Sequence, residues 1–431
     1  MQGEVKRVAA CRVCGADDWI EVISFGAMPP ANGFLEPAGE DGLPAEPAHP
    51  TDVVLCRACR LMCLRHVVDP ETLFRDYVYV SSDSEQMRRH MRRIVELGIH
   101  AGELADGDLV VELGSNVGTQ LGFFQEAGLR VVGVDPAANL AARANARGIE
   151  THPAFFGPEP AARIAHDKGR ARLVLGRQCF AHIDDVHNVL KGVGEVLAPE
   201  GALIIEVPYL VDLLDHNQFD TIYHEHLSYF SLTTLGRLFA AHGLRITDVE
   251  RVAVHGGSIA VVATPESAAR PPQPSVAALL DLEHGRGLHT ERPYLEFADR
   301  VRALTRAIGE TVRELAAGGA TVAGYGAPSK GSALLLMCGL GPREVRFCGD
   351  TTPMKHGKLL PGTHIPVCSP EEAAAREPDY YLLLAWNYAE EIIRKERAFL
   401  ERGGRFIVPI PEPVIVSADD ADSFSLAGGP A

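Results

Sequence analysis

The sequence lacks any long apolar run. None of its uninterrupted apolar stretches approaches the length of about 18 residues that a membrane-spanning helix requires. Its first residues, MQGEVKRVAACRVCG, also lack the apolar core of a secretion signal. These absences predict a cytoplasmic protein that does not insert into a membrane.

Basic charge is also scarce. The chain has 41 lysine and arginine residues against 57 aspartate and glutamate residues, which gives a formal net charge of -16. Because broad nucleic-acid binding needs a basic face, this deficit argues against a nucleic-acid partner. It leaves room for one small anionic ligand in a locally positive pocket.

The nine cysteines are too unevenly spread for a secreted disulfide framework. Four of them stand in two CxxC pairs, CRVC with Cys11 and Cys14, and CRAC with Cys56 and Cys59. Each pair can present two thiolates to one zinc ion, and four thiolates close its coordination shell. The spacing therefore predicts a structural zinc site. Buried free thiols are the alternative, and Cys63 is a candidate substitute for Cys59.

At 431 residues the chain is too long for one ordinary core. From Asp108 to about Pro265, strand and helix signals alternate and end in a glycine-paired reversal, VHGGSIAVVATPE. The stretch SAARPPQPS is typical of a linker. A long helix from about Tyr294 to Ala317 then precedes a second alternating region. Both regions predict α/β domains with mainly parallel sheets.

The first alternating region opens with a glycine loop, VVELGSNVGTQL, between a strand and a helix. Gly114 and Gly118 let the backbone approach a ligand, and the helix N-terminus favours a carboxylate or phosphate. Asp135, after the second strand, can accept bonds from both hydroxyls of a ribose. The pattern resembles the S-adenosylmethionine site of class I methyltransferases; a nicotinamide site and a structural turn are the alternatives. The predicted cofactor contacts are Glu112, Gly114, Ser115, Asn116, Gly118, Asp135 and Gln178.

The stretch YHEHLSYFS, Tyr223 to Ser231, has two histidines, a glutamate and two tyrosines in nine positions. A second zinc site is disfavoured because no HExxH spacing is present. In a helix or turn, Tyr223 and His226 share one side. A proton-transfer site and a satisfied corner of the core both remain open on the residues alone.

The paired CxxC start, VELGSNVG, QCFAHIDD, YHEHLSYFS, HGGS and GYGAPSKGS follow in this order. The combination resembles the deoxysugar C-methyltransferases that act on nucleotide-linked 4-keto sugars, including the C-3 methyltransferases of tetronitrose and kijanose biosynthesis in antibiotic pathways. The resemblance covers the chain from Cys11 to about Pro413. It implies a small zinc-binding domain, a central seven-stranded class I methyltransferase domain and a C-terminal Rossmann-like domain. The corresponding predicted segments are 1–75, 76–265, 266–417 and a disordered tail at 418–431.

The resemblance also implies an active site at YHEHLSYFS. His226 would remove the proton next to the sugar carbonyl, since the pKa of an imidazole lies near working pH. Tyr223 would donate to the keto oxygen or orient the base. Glu225 would hold the imidazole or a sugar hydroxyl, and His224 would point elsewhere in a structural role.

Two further active-site residues follow from the resemblance. His182 of FAHIDD comes after a strand at the carboxyl edge of the predicted sheet, where such folds bind ligands. Its alternative role is a helix cap. Tyr77 of FRDYVYVSS could close over the cofactor as a lid, and its alternative is an ordinary packed aromatic.

The second glycine loop, GYGAPSKGSALL, again lies between a strand and a helix. It is not a P-loop, because Lys330 precedes Gly331. Its glycines and donors suit the diphosphate of a nucleotide sugar, and a Rossmann-like domain without ligand is the alternative. The predicted substrate contacts are Gly326, Ser329, Lys330 and Asn387.

The resemblance, together with these patterns, implies S-adenosylmethionine-dependent C-methylation of a dTDP-linked 4-keto-deoxysugar, first of all at C-3, by base-assisted enolate formation. Three self-contained domains favour a monomer. Methylation at C-5 is one alternative. A nicotinamide-dependent sugar-nucleotide epimerase or reductase is another, although YHEHL lacks the YxxxK spacing of that class.

Overall fold

The computed structural model describes residues 5–37, 45–75, 77 and 84–426. These residues form three α/β or β-rich domains around four β-sheets. Within this part of the chain, every helix is too short or too polar to cross a membrane.

The N-terminal domain is built on an antiparallel sheet. Its elements are β1 (Val5–Arg7), β2 (Trp19–Met28), β3 (His49–Cys56), β4 (Met62–Leu64), β5 (His66–Val68) and helix α1 (Pro70–Phe74). Strands β2, β3 and β4 are neighbours, and the fourth strand of this sheet is Ser228–Tyr229 from the central domain, with Ser228 opposite Cys63. The YHEHLSYFS stretch therefore joins two domains.

The central domain has the predicted seven-stranded sheet. Its elements are α2 (Glu85–Gly102), β6 (Leu109–Leu113), α3 (Thr119–Glu126), β7 (Arg130–Val134), α4 (Ala138–Ala146), β8 (Thr151–His152), α5 (Pro158–Lys168), β9 (Ala171–Arg177), α6 (Val186–Val196), β10 (Leu197–Pro208), α7 (Leu210–Asp215), β11 (Ser228–Tyr229), α8 (Leu232–Ala240), β12 (Leu244–Val252) and β13 (Ser258–Pro265). The strand order is β12-β13-β10-β9-β6-β7-β8, and only the contacts of β13 are antiparallel. All five residues of β6 are buried, as expected of a central parallel strand covered on both faces.

The C-terminal region carries a second, mostly parallel sheet. Its elements are α9 (Pro274–Gly285), α10 (Arg292–Ala317), β14 (Val322–Tyr325), α11 (Ser329–Met337), β15 (Val345–Gly349), β16 (Val367–Cys368), α12 (Pro370–Ala375), β17 (Tyr380–Leu383), α13 (Ala389–Lys395), α14 (Arg397–Glu401), β18 (Arg405–Val408) and β19 (Val414–Val416). The order β16-β15-β14-β17-β18-β19 agrees with the expected Rossmann-like sheet, closed by antiparallel β19.

Helix α9 lies beyond the predicted linker but packs on the central domain, against α8 and β12. Its buried Glu283 accepts hydrogen bonds from the backbone N–H groups of Leu232 and Thr233, at 2.6 and 3.0 Å. A carboxylate at this place satisfies donors at the N-terminus of α8. In space, the central domain thus continues past the predicted limit at residue 265.

The predicted disordered tail, 418–431, includes residues 418–426, which the structure describes. Phe424 and Leu426 pack against the hydrophobic core, and the Leu426 N–H donates to Glu390 Oε1 at 2.9 Å. The partial burial of these two apolar side chains stabilises the segment, although most of its other residues are polar or small. Residues 427–431 lie outside the described residues.

Candidate active site

The four predicted zinc ligands converge. The ligand atoms of Cys11, Cys14, Cys56 and Cys59 lie within 4.8 Å of one another. The Sγ atoms of Cys11 and Cys59 are 3.5 Å apart, and those of Cys14 and Cys56 are 3.6 Å apart. Four thiolates at these separations fit a tetrahedral shell with zinc–sulfur bonds of about 2.3 Å. Cys63 lies in β4 outside this group.

A cavity of ≈ 870 Å³ opens at the carboxyl edge of the central sheet. This is the edge at which open α/β sheets bind ligands. Six of the predicted site residues line it: Tyr77, Gly114, Asn116, Asp135, Gln178 and His182.

The first glycine loop is shaped for close approach of a ligand. Gly114 has a φ of +66°, and a Cβ placed there would lie 2.6 Å from the Cβ of Cys179. The carboxylate of Asp135 accepts hydrogen bonds from the N–H groups of Asn116 and Ala137, at 2.7 and 2.9 Å. Asp135 therefore stabilises the loop. Because a carboxylate offers about four acceptor sites, its remaining lone pairs can accept hydrogen bonds from ligand hydroxyls.

Three of the predicted cofactor residues are not on the cavity lining. Gly118 caps α3, and the hydroxyl of Ser115 is buried without a hydrogen-bond partner among the described residues. Glu112 is buried, which raises its pKa to about 8 although nearby Arg177 opposes the shift, and its Oε2 also has no partner within the described chain. A buried carboxyl oxygen without a partner, such as Glu112 Oε2, needs a hydrogen-bond donor. The charged amino-acid end of S-adenosylmethionine could supply that donor next to the Gly114 turn.

Polar residues that sequence reasoning missed lie behind Gln178 of the cavity lining. His90 Nε2 lies 2.6 Å from Oε2 of fully buried Glu206, and Gln178 Nε2 donates to Glu206 Oε1 at 3.0 Å. Burial alone would raise the pKa of Glu206, but the bond with His90 and the charge of Arg177 outweigh it and lower that pKa. His255, from the quoted HGGS motif, also lines the cavity. No local motif marks His90 or Glu206.

His226 is held in one tautomer. Its Nδ1 lies 2.7 Å from the carbonyl oxygen of Thr221, which can only accept, so Nδ1 carries the proton. Its Nε2 then accepts from the hydroxyl of Tyr223 at 3.1 Å. Burial lowers the pKa of His226 to about 4, against a smaller opposite effect of the Thr221 carbonyl. At neutral pH the imidazole is therefore neutral, with a lone pair on Nε2.

His182 lies beside His226, with 4.9 Å between ring centroids. It ends a 3₁₀ turn, Phe180–His182, and burial lowers its pKa well below the usual value. The N–H of Leu227, next to His226, donates to the carbonyl of Ala181 at 2.9 Å. The backbone thus links the two histidine-bearing segments directly.

Glu225 bonds two other parts of the molecule directly and a third through Asn32. Its Oε2 accepts from the hydroxyl of Tyr77 at 2.6 Å, and its Oε1 accepts from the amide of Asn32 at 2.7 Å. Burial raises the pKa of Glu225, and these two donors oppose that shift. Asn32, which sequence reasoning missed, in turn accepts from the hydroxyl of Ser329 at 2.6 Å.

His224 points away from this group. Its Nε2 lies 3.1 Å from Thr51 Oγ1 and 3.0 Å from the carbonyl oxygen of His49, both in the zinc-binding domain. Burial lowers the pKa of His224 to about 4. This geometry suits the structural role predicted for it.

At the second glycine loop, two of the four predicted substrate residues, Lys330 and Asn387, are in direct contact. Lys330 donates to Asn387 Oδ1 and lies over the ring of Trp386, 4.6 Å from its centroid. Burial lowers the pKa of Lys330 to about 8, opposed by the charge of Asp220. Gly326 has a φ of +83°, which permits the sharp turn before Ser329. A second cavity of ≈ 280 Å³, lined in part by Asn387, shares His255 with the first.

Comparison with known proteins identifies three matching family models. A zinc binding domain matches residues 11–74, a methyltransferase domain matches 84–249, and a C-methyltransferase C-terminal domain matches 253–411. The chain is 57% identical over 419 residues to C-methyltransferase NovU of Streptomyces niveus, which covers 97% of this chain and 99% of that protein.

Solved structures also align with part of the chain. One is the magnesium protoporphyrin IX methyltransferase of Synechocystis PCC 6803 with bound SAM, at 13% identity and a TM-score of 0.32 over 42% of this chain and 79% of that chain. Another is a SAM-dependent methyltransferase of Anabaena variabilis, at 17% identity and a TM-score of 0.33 over 41% of this chain and 85% of that one. The family assignment rests on the full-length relative and the family models.

Proposed function

The chain belongs to the S-adenosylmethionine-dependent C-methyltransferases, and from that premise we propose that it methylates C-3 of a dTDP-linked 4-keto-deoxysugar. S-Adenosylmethionine is its cofactor, and the four cysteines hold a structural zinc ion. One observation carries the proposal: a neutral imidazole, His226, presents an unprotonated Nε2 beside a tyrosine hydroxyl and a second histidine.

Carbon methylation needs a carbon nucleophile, and a ketone makes the neighbouring C–H acidic enough to supply one. His226 Nε2 takes the C-3 proton, and the electrons of that C–H bond pass into the enolate. Fixing Nδ1–H on Thr221 leaves Nε2 as the basic atom, which supports this role. Because burial disfavours the imidazolium, His226 releases this proton to solvent after the methyl group has been transferred to the enolate carbon.

The developing charge on the keto oxygen needs donors. Tyr223 donates to Nε2 in the ligand-free geometry and turns its hydroxyl to the keto oxygen when the sugar enters. His182, on the cavity wall and beside His226, is the second donor. Donors aimed at such an oxygen in a water-poor site are commonly the largest contribution to catalysis.

Tyr77 and Glu225 position the reactants. The Tyr77 side chain lines the cofactor cavity and is tied to Glu225, so it contacts both sides of the site. Residues 76 and 78–83 of the predicted lid lie outside the described residues. Glu225 holds a sugar hydroxyl with whichever lone pairs Tyr77 and Asn32 leave.

On the cofactor side, the Gly114 turn, Asp135 and Glu112 would hold S-adenosylmethionine. When bound, it supplies an electrophilic methyl group on a sulfonium. The chain's own task there is to place that group in line with C-3 and to exclude water.

On the acceptor side, the second glycine loop binds the nucleotide diphosphate. Lys330 supports this because its ammonium group is buried and burial lowers its pKa to about 8, although the charge of Asp220 opposes that shift. A phosphate would provide a further counter-charge. Ser329 and Asn387 add polar contacts.

The decisive experiment is turnover of a panel of nucleotide-linked 4-keto sugars with methyl-labelled cofactor and with deuterium at C-3 or C-5. Loss of deuterium from C-3 with label on that carbon supports the proposal. Loss from C-5 instead would assign the alternative carbon. Label on oxygen or nitrogen, or no turnover of any 4-keto sugar, would reject the proposed substrate class.

A further inference from the structure

Arg12 belongs to the first zinc knuckle, CRVC, yet its side chain reaches into the central domain. The side chain is only 3% exposed. Its Nη1 donates to the carbonyl oxygen of Leu227 at 2.7 Å, and both Nε and Nη2 lie 3.3 Å from Asp184 Oδ1. The guanidinium thus bonds two segments of the central domain at once.

A buried guanidinium is costly unless its charge and donors are matched. Here Asp184, itself 26% exposed, supplies the counter-charge, and carbonyl oxygens supply further acceptors. One of these is Leu64 in β4, 3.4 Å from Nη2. The planar fork of arginine meets several acceptors in fixed directions, which the point charge of lysine cannot do.

The two segments that Arg12 joins are those that carry the paired imidazoles. Leu227 directly follows His226, and Asp184 comes two residues after His182. The same segments are joined by the Leu227 N–H to the Ala181 carbonyl, and their rings are 4.9 Å apart. Arg12 therefore provides a second connection between the segment that contains His182 and the segment that contains His226.

We propose that Arg12 is a positioning residue that sets the spacing of His182 and His226, so that the zinc knuckle helps to place the base and its partner. This rests on the proposed function, in which His226 removes the acceptor proton. Because a misplacement of about 1 Å can cost roughly 100-fold in rate, a small loosening of either segment is enough to slow proton removal.

The chain offers a matched control in the second knuckle, CRAC. Arg57 holds the same place between its two cysteines, but its side chain is 46% exposed and its ion pairs with Asp18 and Glu291 lie on the surface. Exposed ion pairs contribute little to stability. Arg57→Met thus changes the same residue type, equally near the zinc ligands, without touching the histidines.

The test compares Arg12→Met, Arg12→Lys, Asp184→Asn and Arg57→Met. Deuterium exchange from the 4-keto sugar should slow about 10- to 100-fold in Arg12→Met and by less in Arg12→Lys and Asp184→Asn, with a changed pH profile. Zinc content and calorimetric affinity for S-adenosylhomocysteine should stay within about 2-fold of wild type, and Arg57→Met should behave as wild type in every assay.

Imidazole nitrogen NMR signals of His226 and His182 give a readout that needs no turnover. They should shift in the Arg12 and Asp184 variants and stay unchanged in Arg57→Met. If wild type exchanges no deuterium, the proposed substrate fails while these signals still test Arg12. Unshifted signals in Arg12→Lys and Asp184→Asn, or equal loss of zinc and cofactor binding in every Arg12 variant, would overturn the positioning role. If Arg12→Met does not fold, these two milder variants decide.

Discussion

The two glycine loops have nearly the same local structure but different surroundings. Both connect a buried parallel strand to a helix, β6 to α3 and β14 to α11. The first faces an open cavity, and the groups that shape it, such as Asp135, belong to its own domain. The second is held by other domains, because Ser329 bonds Asn32 of the zinc-binding domain, and Lys330 faces Asp220 of the central domain.

In the proposed site, the cofactor half is therefore local and the acceptor half is assembled from several domains. The cofactor half needs one strand–loop–helix unit and the next strand. The acceptor half needs YHEHLSYFS, which is fixed by His224 to the zinc-binding domain and by β11 to its sheet. Changes in the acceptor half should therefore leave cofactor binding intact.

The largest expected effect comes from His226→Asn. Asparagine keeps a polar side chain but cannot act as a base, so deuterium exchange and methyl transfer should fall about 100- to 10,000-fold. Calorimetric affinity for S-adenosylhomocysteine should not change, since His226 is absent from the cavity lining. His100→Asn, at an exposed position in α2, is the matched control. Full exchange in His226→Asn would move the base elsewhere.

The next effect sharpens the contrast between the loops. Lys330→Met keeps the length of the side chain but removes its charge, so affinity for a nucleoside diphosphate should fall about 10- to 100-fold, the loss expected for a charged hydrogen bond. Cofactor affinity should be unchanged. Lys395→Met, with a side chain 65% exposed, serves as the control. An equal loss of affinity for the nucleoside diphosphate and for the cofactor would mean that the two loops do not bind their ligands independently.

Gly114→Ala is the converse experiment on the first loop. The new Cβ would sit in a left-handed conformation and meet Cys179, so cofactor affinity should fall roughly 10-fold. Nucleoside diphosphate affinity should remain as in wild type. Gly148→Ala, also at positive φ but with nothing within 4 Å of its Cβ, separates the effect of backbone strain from that of the contact with Cys179. A loss of cofactor affinity in both variants would trace it to strain.

The local half of the proposed site can be predicted from sequence patterns for a physical reason. A turn such as Gly114, an acid such as Asp135 and a CxxC pair work through neighbours in the chain, so they leave a short, recognisable motif. The fold follows from the same kind of signal, because buried parallel strands are near-continuous apolar runs.

The contacts of the assembled half cannot be predicted from local sequence patterns. Asn32 contacts Glu225 and Ser329, 193 and 297 residues away along the chain, and Arg12 contacts Leu227 across 215 residues. A side chain whose partners are that distant leaves no periodic or local pattern around itself. The sequence marks YHEHLSYFS as unusual, and only the fold identifies which of its neighbours the motif needs.

The smallest expected effect is on stability in acid and concerns the same motif. Burial lowers the pKa of His224 to about 4, below the ordinary value of 6.5. Between these pH values the unfolded chain binds the proton and the folded protein does not. The free energy of unfolding that His224 supports is therefore fully present above about pH 6.5 and falls by up to about 1.4 kcal/mol per pH unit as the pH drops toward 4.

Urea unfolding of zinc-loaded protein between pH 7 and 4.5 measures this slope. His224→Gln cannot bind the proton in either state, so its free energy of unfolding should be lower at pH 7 but less sensitive to acid than that of wild type. His226 and His255, whose pKa burial also lowers to about 4, keep part of the slope in this variant. His100→Gln, in an exposed position, should retain the wild-type slope. If the free energy of unfolding of His224→Gln depended on pH as steeply as that of wild type, protonation of His224 would not contribute to the loss of stability in acid.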